Sequence, residues 1–183
     1  MRLHVPTRLR WSDLDAYGHV NNAQMLRLLE EARIEAFWST DPDAPETELP
    51  GEENTAGDGA EPPANALGGT TAVLDGRPGA DTLTLIARQE IEYMAQIPYL
   101  RQPLDIQLWV GRMGGASLEV CYEVWSPRGT VPELLYTRAA TTIVLVDRES
   151  QRPRRINERE RRAWGPYVDE PVVFSKRGGG NSN

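Results

Sequence analysis

The chain of 183 residues has one cysteine, two histidines and no long apolar run, and each shortage closes a class of function. With Cys121 alone, no intrachain disulfide, zinc cluster or cysteine-pair redox motif can be built. His4 and His19 are too few for a multi-histidine metal site, so no metal is expected. No apolar run approaches the roughly 18 residues needed to span a bilayer, and the opening "MRLHVPTRLRW" has no apolar signal core. The expectation is a soluble, cytoplasmic protein. Cations are also short: 20 Lys and Arg against 27 Asp and Glu give a formal charge of -7. That field repels a polyphosphate backbone, so nucleic acid is not an expected partner, and any anionic ligand needs a local basic patch. The apolar content of 39% is enough for one core and little for a second.

What is present divides by period. Leu3, Val5, Leu9 and Trp11 sit at odd positions, which predicts a strand over Leu3 to Trp11. From Asn22 the period becomes helical: Met25, Leu28, Leu29, Ala32, Ala36 and Phe37 form one stripe, with Arg27, Glu30, Glu31 and Glu35 opposite. This helix should end near Thr40, before Pro42. Residues 41–81, rich in Pro, Gly, Ala and acids, read as a flexible insertion with little to bury, either simply mobile or a lid over a pocket. Alternation then predicts strands over Thr82 to Ala95, Leu104 to Val110, Ser117 to Trp125 and Leu135 to Val146. A short helix near Asn157 to Ala163 and a disordered tail over 175–183 complete the chain. One strand, one long helix and then a run of strands imply an α+β domain over residues 1–174.

The chemistry-bearing cluster is "WSDLDAYGHVNNAQ", directly ahead of the helix. Ser117 lacks the G-x-S-x-G elbow of a serine hydrolase and starts a strand. Cys121 alternates within a strand and reads as a small interior thiol. Asp13 and Asp15 remain. Aspartates often stabilise turns and helix starts, which is one account of both. Asn21, with Gln24 three residues on, resembles a capping box, and this frees the aspartates for another role. Gly18 lets the chain turn tightly, so that a carboxylate could face the amides at the helix N-terminus, where the dipole favours an oxyanion. Glu31 and Glu35 lie on the polar stripe and read as exposed or ion-paired. The run "RPRRINERERR", Arg152 to Arg162, reads as a solvated helix with internal ion pairs.

The string "DLDAYGHVNN" followed by "LEEAR" resembles the 4-hydroxybenzoyl-CoA thioesterase family, acyl-CoA thioesterases of the hotdog fold. That resemblance implies an antiparallel sheet wrapped around one long central helix. It also implies hydrolysis of an acyl-CoA thioester to free CoA and a carboxylic acid. By the family's pattern the second aspartate, Asp15, is the catalytic carboxylate, and the backbone N–H of Asn22 polarises the thioester carbonyl. Gly18, His19 and Asn21 fall beside the substrate, with His19 also able to serve only the turn, and Asp13 is assigned an orienting or structural part. Family members bind the coenzyme's phosphates with Arg or Lys near the dimer interface, for which Arg112 and Arg128 are the candidates here. No cofactor is implied beyond the CoA of the substrate. The alternative is a non-catalytic hotdog protein that binds acyl-CoA or acyl carrier protein. The strand Thr82 to Ala95 is too apolar for a free edge, so a homodimer or homotetramer is expected.

Overall fold

The computed structural model describes residues 1–39 and 71–175. Strand β1 spans Leu3–Thr7, helix α1 Asn22–Phe37, β2 Trp38–Ser39, β3 Leu74–Asp75 and β4 Thr82–Tyr93. They are followed by β5 Leu104–Met113, β6 Ser117–Trp125, β7 Leu135–Asp147 and helix α2 Glu158–Trp164. The five long strands form one sheet in the order β1-β5-β6-β7-β4, with every neighbouring pair antiparallel. A small parallel pair, β2 with β3, lies beside it.

Why α1 packs where it does follows from its stripe: Met25, Leu28, Leu29, Ala32, Ala36 and Phe37 are all buried, together with Leu104, Ile106, Leu108, Val120 and Tyr122 of the sheet. One buried residue broke the pattern by type. Arg33 carries its guanidinium inside, where Nη1 donates to the Tyr122 hydroxyl at 3.0 Å.

Three expectations need correction. The first strand stops at Thr7 rather than Trp11, because the alternation beyond Pro6 belongs to a turn. Leu9 is still buried, but Trp11 is 75% exposed, its ring stacked on Tyr99 at 4.7 Å. Residues Trp11–Asp13 form a 3-10 turn that Asp13 closes by accepting the Arg10 N–H at 2.6 Å. Helix α1 ends at Phe37, not near Thr40, since Trp38 turns extended to pair with Leu74. The stretch expected as an insertion is also shorter at its far end. Residues 41–70 lie outside the described residues, but Thr71 is buried and donates its hydroxyl to the Ala36 carbonyl at 2.7 Å, and Leu74 joins the core. Of the expected tail, Ser175 is described and donates its N–H to Glu92 at 3.3 Å.

The basic run is more than a solvated helix. Asn157 and Glu160 form a capping box on α2, and the buried Glu160 also takes Arg154 Nη1 at 3.0 Å. Trp164 is wholly buried, edge-on to Phe37 with centroids 5.9 Å apart, and donates its indole N–H to the Thr71 carbonyl at 3.0 Å. The chain then crosses the outer face of the sheet. Val168 bridges to Val110, and the Trp109 indole donates to the Glu170 carbonyl at 2.7 Å.

This crossing explains Gly111, which sits at the β5 bulge. A Cβ there would lie 2.6 Å from Cys121 Sγ and 3.2 Å from the Pro171 backbone. Gly111→Ala should therefore cost about 1–3 kcal/mol, as overpacking does. A thermal melt checks this, and an unchanged midpoint would mean the crossing segment is loosely held.

Candidate active site

The site is built on the hairpin between β1 and α1. Leu14 and Val20 bridge across it, the Asp15 N–H donates to the His19 carbonyl at 2.8 Å, and the Gly18 N–H donates to the Asp15 carbonyl at 3.1 Å. Gly18 turns the chain with a φ of 78°, a conformation side chains disfavour. The Asp15 carboxylate closes the turn, its Oδ1 accepting the N–H of Tyr17 at 2.8 Å and of His19 at 3.1 Å. So the turn-stabilising account of Asp15 is correct as far as one oxygen goes, and both of these bonds leave Oδ2. The amide of His19, more than that of Tyr17, holds the carboxyl below its ordinary value of 3.8. Asp15 is therefore ionised at neutral pH.

The helix start is fixed from three sides. The Asn21 N–H donates to the Asp13 carbonyl at 2.8 Å, the Val20 N–H donates to the Ile97 carbonyl at 2.9 Å, and the Tyr93 hydroxyl donates to the Asn22 carbonyl at 3.3 Å. Asn21 is the N-cap, as expected, but its side chain accepts from Ala23 at 2.8 Å. The box with Gln24 would have needed the next amide along. Because Asn21 takes the second helical amide, the first, Asn22 N–H, stands ahead of the cap bond at the positive end of the helix dipole.

A cavity of about 310 Å³ opens here, and Asp15, His19, Asn22, Met25, Tyr93 and Thr137 are among its walls. Gly18 and Asn21 shape it as turn and cap without lining it. Asp13 is buried in the 3-10 turn and is not among the walls. Glu31 pairs with Arg27 at 3.2 Å and with Arg10 at 3.7 Å, and Glu35 is exposed; both stay outside the cavity. Cys121 is buried, and burial pushes its thiol up.

Within one chain the structure does not bring the two arginines to the cavity. Arg112 is exposed in the row Arg112, Glu119, Thr142, Arg88, whereas the cavity lies at the row Tyr93, Thr137, Val124, nearer the other end of the sheet. Arg128 lies in the β6–β7 connection with its Nε 3.6 Å from Asp105. Sequence reasoning overlooked Tyr93 and Thr137 as site residues. No sequence signal singled out Thr137, because the inward row of β7, Thr137, Ala139, Thr141, Ile143 and Leu145, holds a second buried threonine that does not line the cavity.

Among the described residues, no group of three or more His, Cys, Asp or Glu side chains could hold a metal ion, and no helix is long and apolar enough to cross a membrane. What the arrangement offers is an ionised carboxylate and the first residue of α1 on the walls of one partly apolar cavity.

A carboxylate and the first residue of a helix line one cavity beside an antiparallel sheet, and known proteins share this fold. The profile of the thioesterase-like superfamily matches residues 9–164, and the chain belongs to that superfamily. No curated protein matches it. Among solved structures it is similar to a predicted thioesterase from Bacillus stearothermophilus, at 19% identity and a TM-score of 0.62, covering 94% of this chain and 100% of that one. It is similar to the dynemicin thioesterase at 14% identity and a TM-score of 0.65, covering 95% and 100%. A 1,4-dihydroxy-2-naphthoyl-CoA thioesterase from Synechocystis aligns at 14% identity and a TM-score of 0.59, covering 90% and 96%. At these identities the likeness carries the fold, consistent with hotdog thioesterases.

Proposed function

We propose that this chain is an acyl-CoA thioesterase in which Asp15 is the catalytic carboxylate and the Asn22 amide the oxyanion donor. The observation that carries this reading is the shared cavity of the ionised Asp15 carboxylate and Asn22, the first residue of α1. A thioester placed with its carbonyl oxygen at the Asn22 N–H presents its carbon to Asp15 Oδ2. The carboxylate either attacks that carbon or takes a proton from the water that does. The tetrahedral oxyanion is held by the amide, and collapse expels the CoA thiolate, which is protonated. Attack by water leaves the carboxylic acid directly, whereas attack by Asp15 leaves a mixed anhydride that a water then hydrolyses to the acid and the free Asp15 carboxylate. One such donor is worth about 3–4 kcal/mol, and general-base help about 10²–10⁴-fold, so neither metal nor histidine has to act. Gly18, His19 and Asn21 border the acyl and pantetheine ends, and no cofactor is used beyond the CoA of the substrate.

The protein acts as a soluble cytoplasmic homo-oligomer, a dimer or tetramer in which the sheet wraps α1 as the central helix. Supporting this, Leu85 and Ile86 of β4, the strand at one end of the sheet, lie 53% and 43% exposed. Arg112, toward the other end of the sheet, and Arg128, which does not line the cavity of its own chain, meet the CoA phosphates bound at a second copy. Mixing Asp15→Asn chains with chains carrying Arg112→Ala and Arg128→Ala restores part of the activity under this arrangement. Absence of any restoration in a mixed dimer removes the arginines from the site.

The pH dependence of kcat/KM tests the carboxylate itself. The ionised form reacts, and its pKa is lowered, so activity falls only as pH drops through a value below 3.8. A flat profile from about pH 5 to about pH 8 is expected. An inflection near the ordinary histidine value, about 6.5, that vanishes in His19→Gln would transfer the base role to His19.

A further inference from the structure

Three buried threonines invite comparison: Thr71, Thr137 and Thr141. The Thr71 hydroxyl donates to the Ala36 carbonyl at 2.7 Å, and that of Thr141 accepts from Gln89 Nε2 at 3.4 Å and bonds the Tyr122 hydroxyl. Thr137 differs from both. It is 0% exposed, its Oγ1 has no hydrogen-bond partner among the described residues, and it lines the cavity that holds Asp15 and Asn22. A buried hydroxyl without a partner costs about 1–3 kcal/mol, so one kept at the wall of a ligand cavity calls for a partner the ligand brings.

Depth decides which part of the ligand that is. Asp15 is half-buried and Asn22 exposed, so the thioester carbonyl that must meet both sits toward the mouth. Thr137 lies on the inward row of β7, across from Tyr93 of β4 and Val124 of β6, and shares the cavity wall with the buried Met25. What reaches it is the acyl group beyond the carbonyl. The cavity, about 310 Å³, is at the small end of ligand sites, which run from about 300 to 1,000 Å³, and suits a short or single-ring acyl group.

Resting on the thioesterase reading of this cavity, we infer that Thr137 is a specificity-determining residue whose hydroxyl hydrogen-bonds a hydroxyl or oxo group on the acyl chain. A hydrocarbon acyl group would leave this hydroxyl without a partner. A site built around a polar contact therefore rejects the analogue that lacks it more strongly than an apolar site rejects an added hydroxyl.

Two matched pairs test this: 3-hydroxybutanoyl-CoA with butanoyl-CoA, and 4-hydroxyphenylacetyl-CoA with phenylacetyl-CoA. Binding is measured by calorimetry to the Asp15→Asn protein, and kcat/KM on the wild-type chain. The hydroxylated member should be preferred by about 10-fold or more in at least one pair. Thr137→Val should erase that preference while keeping or improving the hydrocarbon member, and Thr137→Ser should retain it. A merely structural threonine would lower both members together. The inference is overturned if neither pair shows a preference, or if the Val variant discriminates within twofold of wild type. It is likewise overturned if the Ser variant loses the preference along with the Val variant. Should Val not fold, Thr137→Ala against Thr137→Ser makes the same comparison. A binding preference that depends on Thr137, without hydrolysis of any member, would sink the thioesterase reading and leave this contact standing.

Discussion

Asp15→Asn should lower kcat by at least about 10²-fold while leaving the chain folded. The asymmetry follows from the turn. Asparagine keeps an Oδ1 that can accept the Tyr17 and His19 amides, the two bonds that close the hairpin. It loses the charge, and with it both nucleophilicity and basicity. Asp13 offers the converse control, because its buried carboxylate serves the Arg10 amide and lines no part of the cavity. Asp13→Ala should cost about 1 kcal/mol in stability, as lost caps do, with kcat within a few-fold of wild type. Turnover that survived Asp15→Asn but not Asp13→Asn would reverse the two assignments. The stability contribution of Asp15 runs with pH in the usual carboxylate sense. Its folded pKa lies below the ordinary value, so what it contributes is present above about 3.8 and is lost as pH falls through the folded value.

Trp164→Ala should be among the most damaging changes to the fold, at about 3–5 kcal/mol. The indole is wholly buried, meets Phe37 of α1 edge-on and holds the Thr71 carbonyl, so one side chain ties α2, the end of α1 and the returning chain together. For a chain of this size the melting point should fall by roughly 10 °C or more. A loss under about 1 kcal/mol would mean that α2 rests on the surface and that Arg152 to Arg162 is the solvated run its charge suggests.

The parts of the structure legible in the sequence are those governed by one period. All six residues of the α1 stripe are buried, and β6 spans the residues that alternation assigned to it, because in both cases burial and local geometry demand the same spacing. The errors fall where two spacings coincide. Leu9 and Trp11 continue the alternation of β1 by accident, and the 3-10 turn that begins at Trp11 is closed by the Arg10 to Asp13 bond, which no periodicity reports. Residues 71–81 were hidden by composition. Thr71 and Leu74 are two packed residues at the end of a stretch otherwise rich in Gly, Pro and acids.

The candidate site was legible at its centre and not at its walls. Asp15, Gly18, Asn21 and Asn22 lie within eight consecutive residues, so local turn and cap chemistry places them together. Tyr93 and Thr137 come to the same cavity from β4 and β7, through a sheet register that long-range pairing fixes. Arg33 was unreadable for a related reason. Its burial depends on the Tyr122 hydroxyl from β6, some 89 positions away.

The central claim, that this cavity cleaves acyl-CoA thioesters, is tested most directly by thiol release from the wild-type chain. The panel is short, medium, long and aromatic acyl-CoAs, with free CoA followed by a thiol reagent and the acid quantified alongside. The expected result is catalytic turnover of at least one short or single-ring acyl-CoA, with acid and CoA appearing one to one. Saturable binding of those acyl-CoAs with no thiol released across the whole panel would contradict it and make the chain an acyl-CoA binding protein.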